Sequence, residues 1–264
     1  MSRAPDVADP ALLTGTFLHA PGIGAATERS LWSKGLLSWR QLIDDDRPPV
    51  SKGRLGALRE TVERSIDALD RRDHLWFANA LPAKEHWRLL PWFGERIAYL
   101  DIETNGGMDA DDITIIGIHD GHECRVLVRG EDLDAFPELI ADTQLLVTFF
   151  GGGFDLPFLR RRFPAVPLDQ PHIDLCPTLR RLGYSGGLKS IERKLRIPRR
   201  EEVDGLDGMD AVRLWNAWKW RGDEEARRLL ILYNREDVEN LETLLAFALP
   251  RLTAETGFPG IAVT

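Results

Sequence analysis

Between positions 97 and 128 the chain carries three apolar, β-branched runs with only turns between them: Ile97-Ala98-Tyr99-Leu100-Asp101-Ile102, Ile113-Thr114-Ile115-Ile116-Gly117-Ile118 and Arg125-Val126-Leu127-Val128. Gly106-Gly107 and Gly121 mark the turns, so the runs predict consecutive strands in an antiparallel meander. The texture then alternates. A helix is expected around 132–141, a strand over Leu145–Phe150, a helix over 155–163 and a strand at His172–Leu175. Helices follow at 176–182, 187–195, 208–221 and 223–249. A meander followed by strand–helix alternation predicts an α/β domain whose mixed sheet is covered on both faces.

The first third has a different period. Residues 17–42 have a helical pattern broken by Pro21-Gly22-Ile23-Gly24, and Leu55, Leu58, Val62, Ile66 and Leu69 form a helical stripe from about Ser51. The expected division is therefore a tail over 1–15, a small all-α domain over 16–80 and a linker over 81–95 containing Pro82 and Pro91. The α/β domain takes 96–250, with a C-terminal tail over 251–264.

Composition narrows the partners. With 43% hydrophobic and 29% charged residues, the chain of 264 reads as soluble and globular. No apolar run is long enough to cross a bilayer, and no apolar segment follows a basic start, so no membrane partner and a cytoplasmic location are expected. Cys124 and Cys176 lie far apart, which excludes a thiolate zinc site and a disulfide scaffold. The formal charge of −8 hides a basic stretch: residues 156–200 hold eleven Arg or Lys against three acids, enough for a local phosphate-binding surface.

Three clusters could carry chemistry. Asp101 and Glu103 stand two apart at the end of the first strand and project to the same side. Two adjacent carboxylates repel unless a cation lies between them, and a hard divalent ion is the natural one. Phe154-Asp155 follows Gly151-Gly152-Gly153; Asp155 could cap a helix, but three glycines also suggest a backbone that something must approach closely. Tyr233 and Asp237 are four apart on one face of the last helix, close to its apolar stripe. An aspartate there needs a partner or a metal.

In this order, Asp101-x-Glu103, Phe154-Asp155 and Tyr233-x-x-x-Asp237 resemble the DEDD superfamily of 3′–5′ exonucleases, in its tyrosine-containing (DEDDy) branch, built on the ribonuclease H-like fold. The stretch His86-Trp87-Arg88-Leu89-Leu90-Pro91 leading to Asp101 is further similar to a prokaryotic ribonuclease H-like exonuclease subgroup, and the resemblance covers roughly 86–250. It implies catalytic Asp101, Glu103, Asp155, Tyr233 and Asp237. Two Mg²⁺ or Mn²⁺ ions would be held by the four acids: Asp101 bridging both, Glu103 and Asp237 completing one site, Asp155 the other. Tyr233 would orient the attacking water. The implied function is metal-dependent 3′–5′ hydrolysis of single-stranded nucleic-acid ends, DNA favoured and RNA open. Two alternatives rest on the same residues: a catalytically weak or inactive nucleic-acid-binding module, and an endonuclease of the same fold. One position departs from the pattern, since Phe150 stands where many relatives carry asparagine.

Substrate contacts are expected from Thr104, Phe154 and Lys189. The segment from Pro21 to Trp32 resembles half of a helix-hairpin-helix, whose Gly22 and Gly24 would point backbone N–H groups at a phosphate.

Overall fold

The computed structural model describes residues 9–259. Five strands, β1 (Ile97–Thr104), β2 (Ile113–His119), β3 (Cys124–Val128), β4 (Leu145–Thr148) and β5 (His172–Asp174), form one sheet in the order β3-β2-β1-β4-β5. The meander pairs antiparallel, with Asp101 opposite Gly117, whereas β1–β4 and β4–β5 are parallel. The mixed sheet expected from the alternating pattern is thus present, and β1 is its central strand.

Helices precede the sheet: α1 (Ala11–Thr14), α2 (Ala25–Ser33), α3 (Trp39–Asp44), the longer α4 (Lys52–Asp70), α5 (His74–Ala80) and α6 (Leu90–Phe93). Within and after it come α7 (Phe136–Ile140), α8 (Asp155–Arg162), α9 (Leu175–Arg181), α10 (Leu188–Leu195), α11 (Gly208–Arg221) and α12 (Glu224–Thr256). Local chemistry sets the ends of the helices that matter most. Asp223 accepts the Ala226 N–H at 3.0 Å to start α12, and Gly257, with φ of 67°, ends it in the left-handed region that glycine adopts freely. Asp207 starts α11 by accepting from Met209 and Asp210.

Several boundaries differ from the expectation for physical reasons. β4 stops at Thr148, because Phe150 turns to a φ of +64° that no strand tolerates. β5 stops at Asp174, whose side chain accepts the Cys176 N–H at 3.0 Å and so opens α9 at Leu175. The expected linker is not an exposed connector. It forms a 3₁₀ segment over Ala83–Leu89 followed by α6, with Trp87, Leu89, Leu90 and Phe93 buried. Arg88 lies inside it, bonded to Glu85 at 2.8 Å and to Glu28 of α2 at 3.5 Å, with all three side chains almost wholly buried. Of the expected tail over 1–15, positions 1–8 lie outside the described residues, but Leu12 and Leu13 are buried. At the other end α12 continues past 250, and Phe258 packs edge-on against Trp32 with ring centroids 5.0 Å apart. One core cluster runs from Leu12 through β1 and α12 to Phe258, so the helical region and the sheet share their interior.

Cys124 and Cys176 are both free. No helix among the described residues is long and apolar enough to cross a membrane.

Candidate metal centre

The close approach of α12 to the sheet builds the site. Gly117 sits on β2 opposite Asp101, and a Cβ there would collide with Asn234 Oδ1 and lie 2.5 Å from Val238 Cγ2. A glycine inside a strand therefore lets α12 descend onto β1 and β2. That descent carries Tyr233 and Asp237 to the end of β1. Ligand oxygens of Asp101, Glu103 and Asp237 come within 4.8 Å of one another.

Asp155 is not in that trio but shares its field. It opens α8 without capping it. Its Oδ1 turns instead to accept the Ile102 N–H on β1 at 2.9 Å, between the two β1 acids in sequence. The loop before it is shaped by Asp174, which accepts from Phe150 N at 2.8 Å and from Gly152 N at 3.2 Å. Two of the three glycines, Gly151 and Gly153, are explained within the chain. A Cβ on Gly151 would lie 2.5 Å from Thr148 Cβ, and one on Gly153 would lie 2.9 Å from the Phe150 ring. What approaches this backbone closely is the chain's own Thr148 and Phe150.

The electrostatics follow from crowding. Burial, then the charges of Asp155, Asp237 and Glu103, push the Asp101 carboxyl well above the usual carboxylate range. Glu103 is pushed up by burial and then by Asp237. Burial raises Asp155 to about 7 against the pull of the Ile102 N–H. The Tyr233 phenol, 2% exposed, is raised by burial and by Asp237, Glu103 and Asp101, so it keeps its proton.

Two cations enter the cluster. Lys189 Nζ donates to Tyr233 Oη at 2.5 Å and to Asp237 Oδ2 at 3.0 Å, while lying 4.1 Å from the Tyr233 ring centroid. Arg199 donates to Asp237 Oδ1 and, through two nitrogens at 2.7 Å, to Glu192. Arg199 already neutralises Glu192, so four ionised carboxylates would still exceed the available positive charge. An all-oxygen donor set with excess negative charge fits a hard divalent ion.

Arg199 and Asn234 were not singled out in the sequence. Asn234 Nδ2 donates to Asp101 Oδ2 at 2.9 Å and fixes that carboxylate against α12. Its position between Tyr233 and Asp237, together with the glycine at 117, was the available signal. The remaining expected contacts have these surroundings. Lys189 reaches the acids themselves. Half-buried Phe154 packs on Phe158 with centroids 4.9 Å apart, and Thr104 Oγ1 accepts the Gly106 N–H at 3.2 Å. Gly22, with φ of 75°, and Gly24, at the start of α2, are exposed in the N-terminal helical region and belong to no part of the acid cluster.

Comparisons with known proteins agree with this fold. The solved structure of the family B DNA polymerase from the hyperthermophilic archaeon Pyrobaculum calidifontis is similar to this chain, with a TM-score of 0.50 and 20% sequence identity. The similarity covers 63% of this chain and 26% of the polymerase, so the chain spans about a quarter of that protein's length. Comparison with curated proteins gives no match. A family model described as the RNase_H superfamily matches residues 98–248, which begin in β1, end in α12 and include all four acids. That span is more than half of the chain, and the protein belongs to the RNase_H superfamily.

Proposed function

We propose that the protein is a metal-dependent nuclease, specifically a 3′–5′ exonuclease of the tyrosine-containing type acting on single-stranded ends, with DNA favoured. The observation that carries the reading is the convergence of Asp101, Glu103 and Asp237 within 4.8 Å at the end of the central strand, with Asp155 behind them and Tyr233 beside them. Membership of the RNase_H superfamily and likeness to a DNA polymerase support a nucleic-acid substrate.

In this reading Asp101, Glu103 and Asp237 hold Mg²⁺ or Mn²⁺, and Asp155 contributes to a second position. A bound divalent ion supplies positive charge that stabilises the attacking and leaving oxygens of a phosphodiester. The chain's own groups do the positioning. Asn234 fixes the Asp101 carboxylate, and Arg199 fixes that of Asp237. Tyr233 holds the attacking water by hydrogen bonding, because a phenol that keeps its proton is a poor general base. Lys189, already at Asp237 and Tyr233, is placed to offset charge on the phosphoryl oxygens. The exposed Gly22–Gly24 turn is assigned to backbone contacts with the strand.

The test compares linear single-stranded DNA and RNA, labelled at the 3′ or the 5′ end, with circular single-stranded DNA, in Mg²⁺, Mn²⁺ and chelator. Immediate release of the 3′ label as mononucleotide, with intact circles and no reaction in chelator, is expected. Cut circles would indicate an endonuclease. Stable labels in both metals would leave a binding module.

A further inference from the structure

A cavity of about 590 Å³ opens beside the acid cluster, lined by Lys189, Arg193, Arg196 and Arg199 and by Asp204 and Asp207. Lys189 and Arg199, both in its wall, bond Asp237, so the cavity adjoins the candidate metal centre. From there Lys189 and Arg193, four apart, share one face of α10, and Arg196 follows as the residue that ends it; all three line the cavity. The charges lining it are differently committed. Asp207 is engaged in capping α11 and Glu192, which also lines the cavity, is engaged by Arg199, which leaves Asp204 as the one wall acid without an ion pair among the described residues. Arg193 and Arg196 are exposed and, among the described residues, make no ion pair, although neighbouring Arg200, Arg213 and Arg228 all do. Arg196 also ends α10 at a φ of +57°, where glycine or asparagine is the usual choice.

We propose that this cavity is a track for the phosphodiester backbone of the strand whose 3′ end lies at the acid cluster. Lys189 meets the innermost phosphate and Arg193 and Arg196 meet successive ones further up the strand. The inference rests on the nuclease reading of the same site and makes the substrate class a polynucleotide of several residues, not a mononucleotide. Contacts to phosphates read no sequence, so binding along the track is sequence-independent.

The experiment measures binding of a labelled single-stranded oligonucleotide across a range of salt, with the full chain and its R193A/R196A variant, both carrying Asp101→Asn to prevent degradation. Two lost contacts should flatten the slope of log affinity against log salt by about 1.4, at roughly 0.7 per phosphate contact on a single strand. Affinity for a nucleoside monophosphate should be unchanged. Circular dichroism and thermal melting check that both exposed substitutions leave the fold intact. An unchanged slope overturns the track, and so does a parallel loss of monophosphate binding, which would make the cavity a pocket for a single phosphate. Hydrolysis by the unsubstituted protein is followed alongside. A flattened slope without hydrolysis in any metal keeps the track and removes the exonuclease reading; hydrolysis with an unchanged slope does the reverse.

Discussion

Gly117→Ala tests how the site is assembled. The added Cβ would collide with Asn234 Oδ1 and lie 2.5 Å from Val238 Cγ2, both on α12 and both in short side chains. Either the helix lifts or β2 shifts, and overpacking of this kind costs about 2 kcal/mol. For a chain of this size that corresponds to a fall in Tm of roughly 4–8 °C. Asn234 bonds Asp101, and Tyr233 and Asp237 ride on the same helix, so the displacement also separates the carboxylates. Hydrolysis should fall by about a hundredfold, as misplacement of a reacting group by roughly 1 Å does. Urea melts and hydrolysis rates for Gly117→Ala, Asn234→Ala and the double variant form a cycle. If the clash with Asn234 is the cause, the double variant loses clearly less stability than the two single losses added together. Additive losses, or a Gly117→Ala protein as stable and active as the unsubstituted one, would refute the argument that this glycine admits α12 to the sheet.

Asp155→Asn should change the pH dependence of stability in chelator. Burial raises the Asp155 carboxyl from 3.8 to about 7, so its contribution is fully present below the unfolded value and is lost as pH rises through 7. At pH 8 the amide variant should be more stable by up to about 4 kcal/mol, with no difference at pH 4; parallel stability curves would contradict this. Tyr233→Phe removes the hydroxyl that meets Lys189 at 2.5 Å, and should lower the hydrolysis rate by about 10- to 100-fold while leaving a measurable rate, unlike Asp101→Asn; complete loss in a folded variant would give the phenol a larger role than positioning. Arg88→Ala leaves buried Glu28 without its ion-pair partner, while Glu85 keeps Arg181 at 3.3 Å, and should cost about 3 kcal/mol in a urea melt. A loss below about 1 kcal/mol would mean that water reaches the pair.

Much of the candidate site's geometry was legible because it follows from two short periods. Strand alternation puts Asp101 and Glu103 on one side, and a bulge interrupts β1 only after Glu103. The helical step of four puts Tyr233 and Asp237 on one face of α12. What escaped the sequence depends on how elements approach each other. Arg199 lies beyond α10 and 38 positions before Asp237, and only the fold brings the two together. Asn234 looked like one more residue of a helix until Gly117 was seen beneath it. The expected linker misled because Pro82 and Pro91 suggest a connector, whereas Pro91 stands in the first turn of α6, where its missing N–H costs nothing. The buried Trp87, Leu89 and Phe93 were the better guide to that segment.

The central claim is that Asp101, Glu103 and Asp237 together hold a divalent cation. Calorimetric titration of Mn²⁺ into the metal-free protein and into Asp101→Asn tests it without requiring turnover. Saturable binding to the unsubstituted protein, weakened at least tenfold by the single amide, is the predicted result. Equal affinity in the two proteins, or no binding to either, would contradict it.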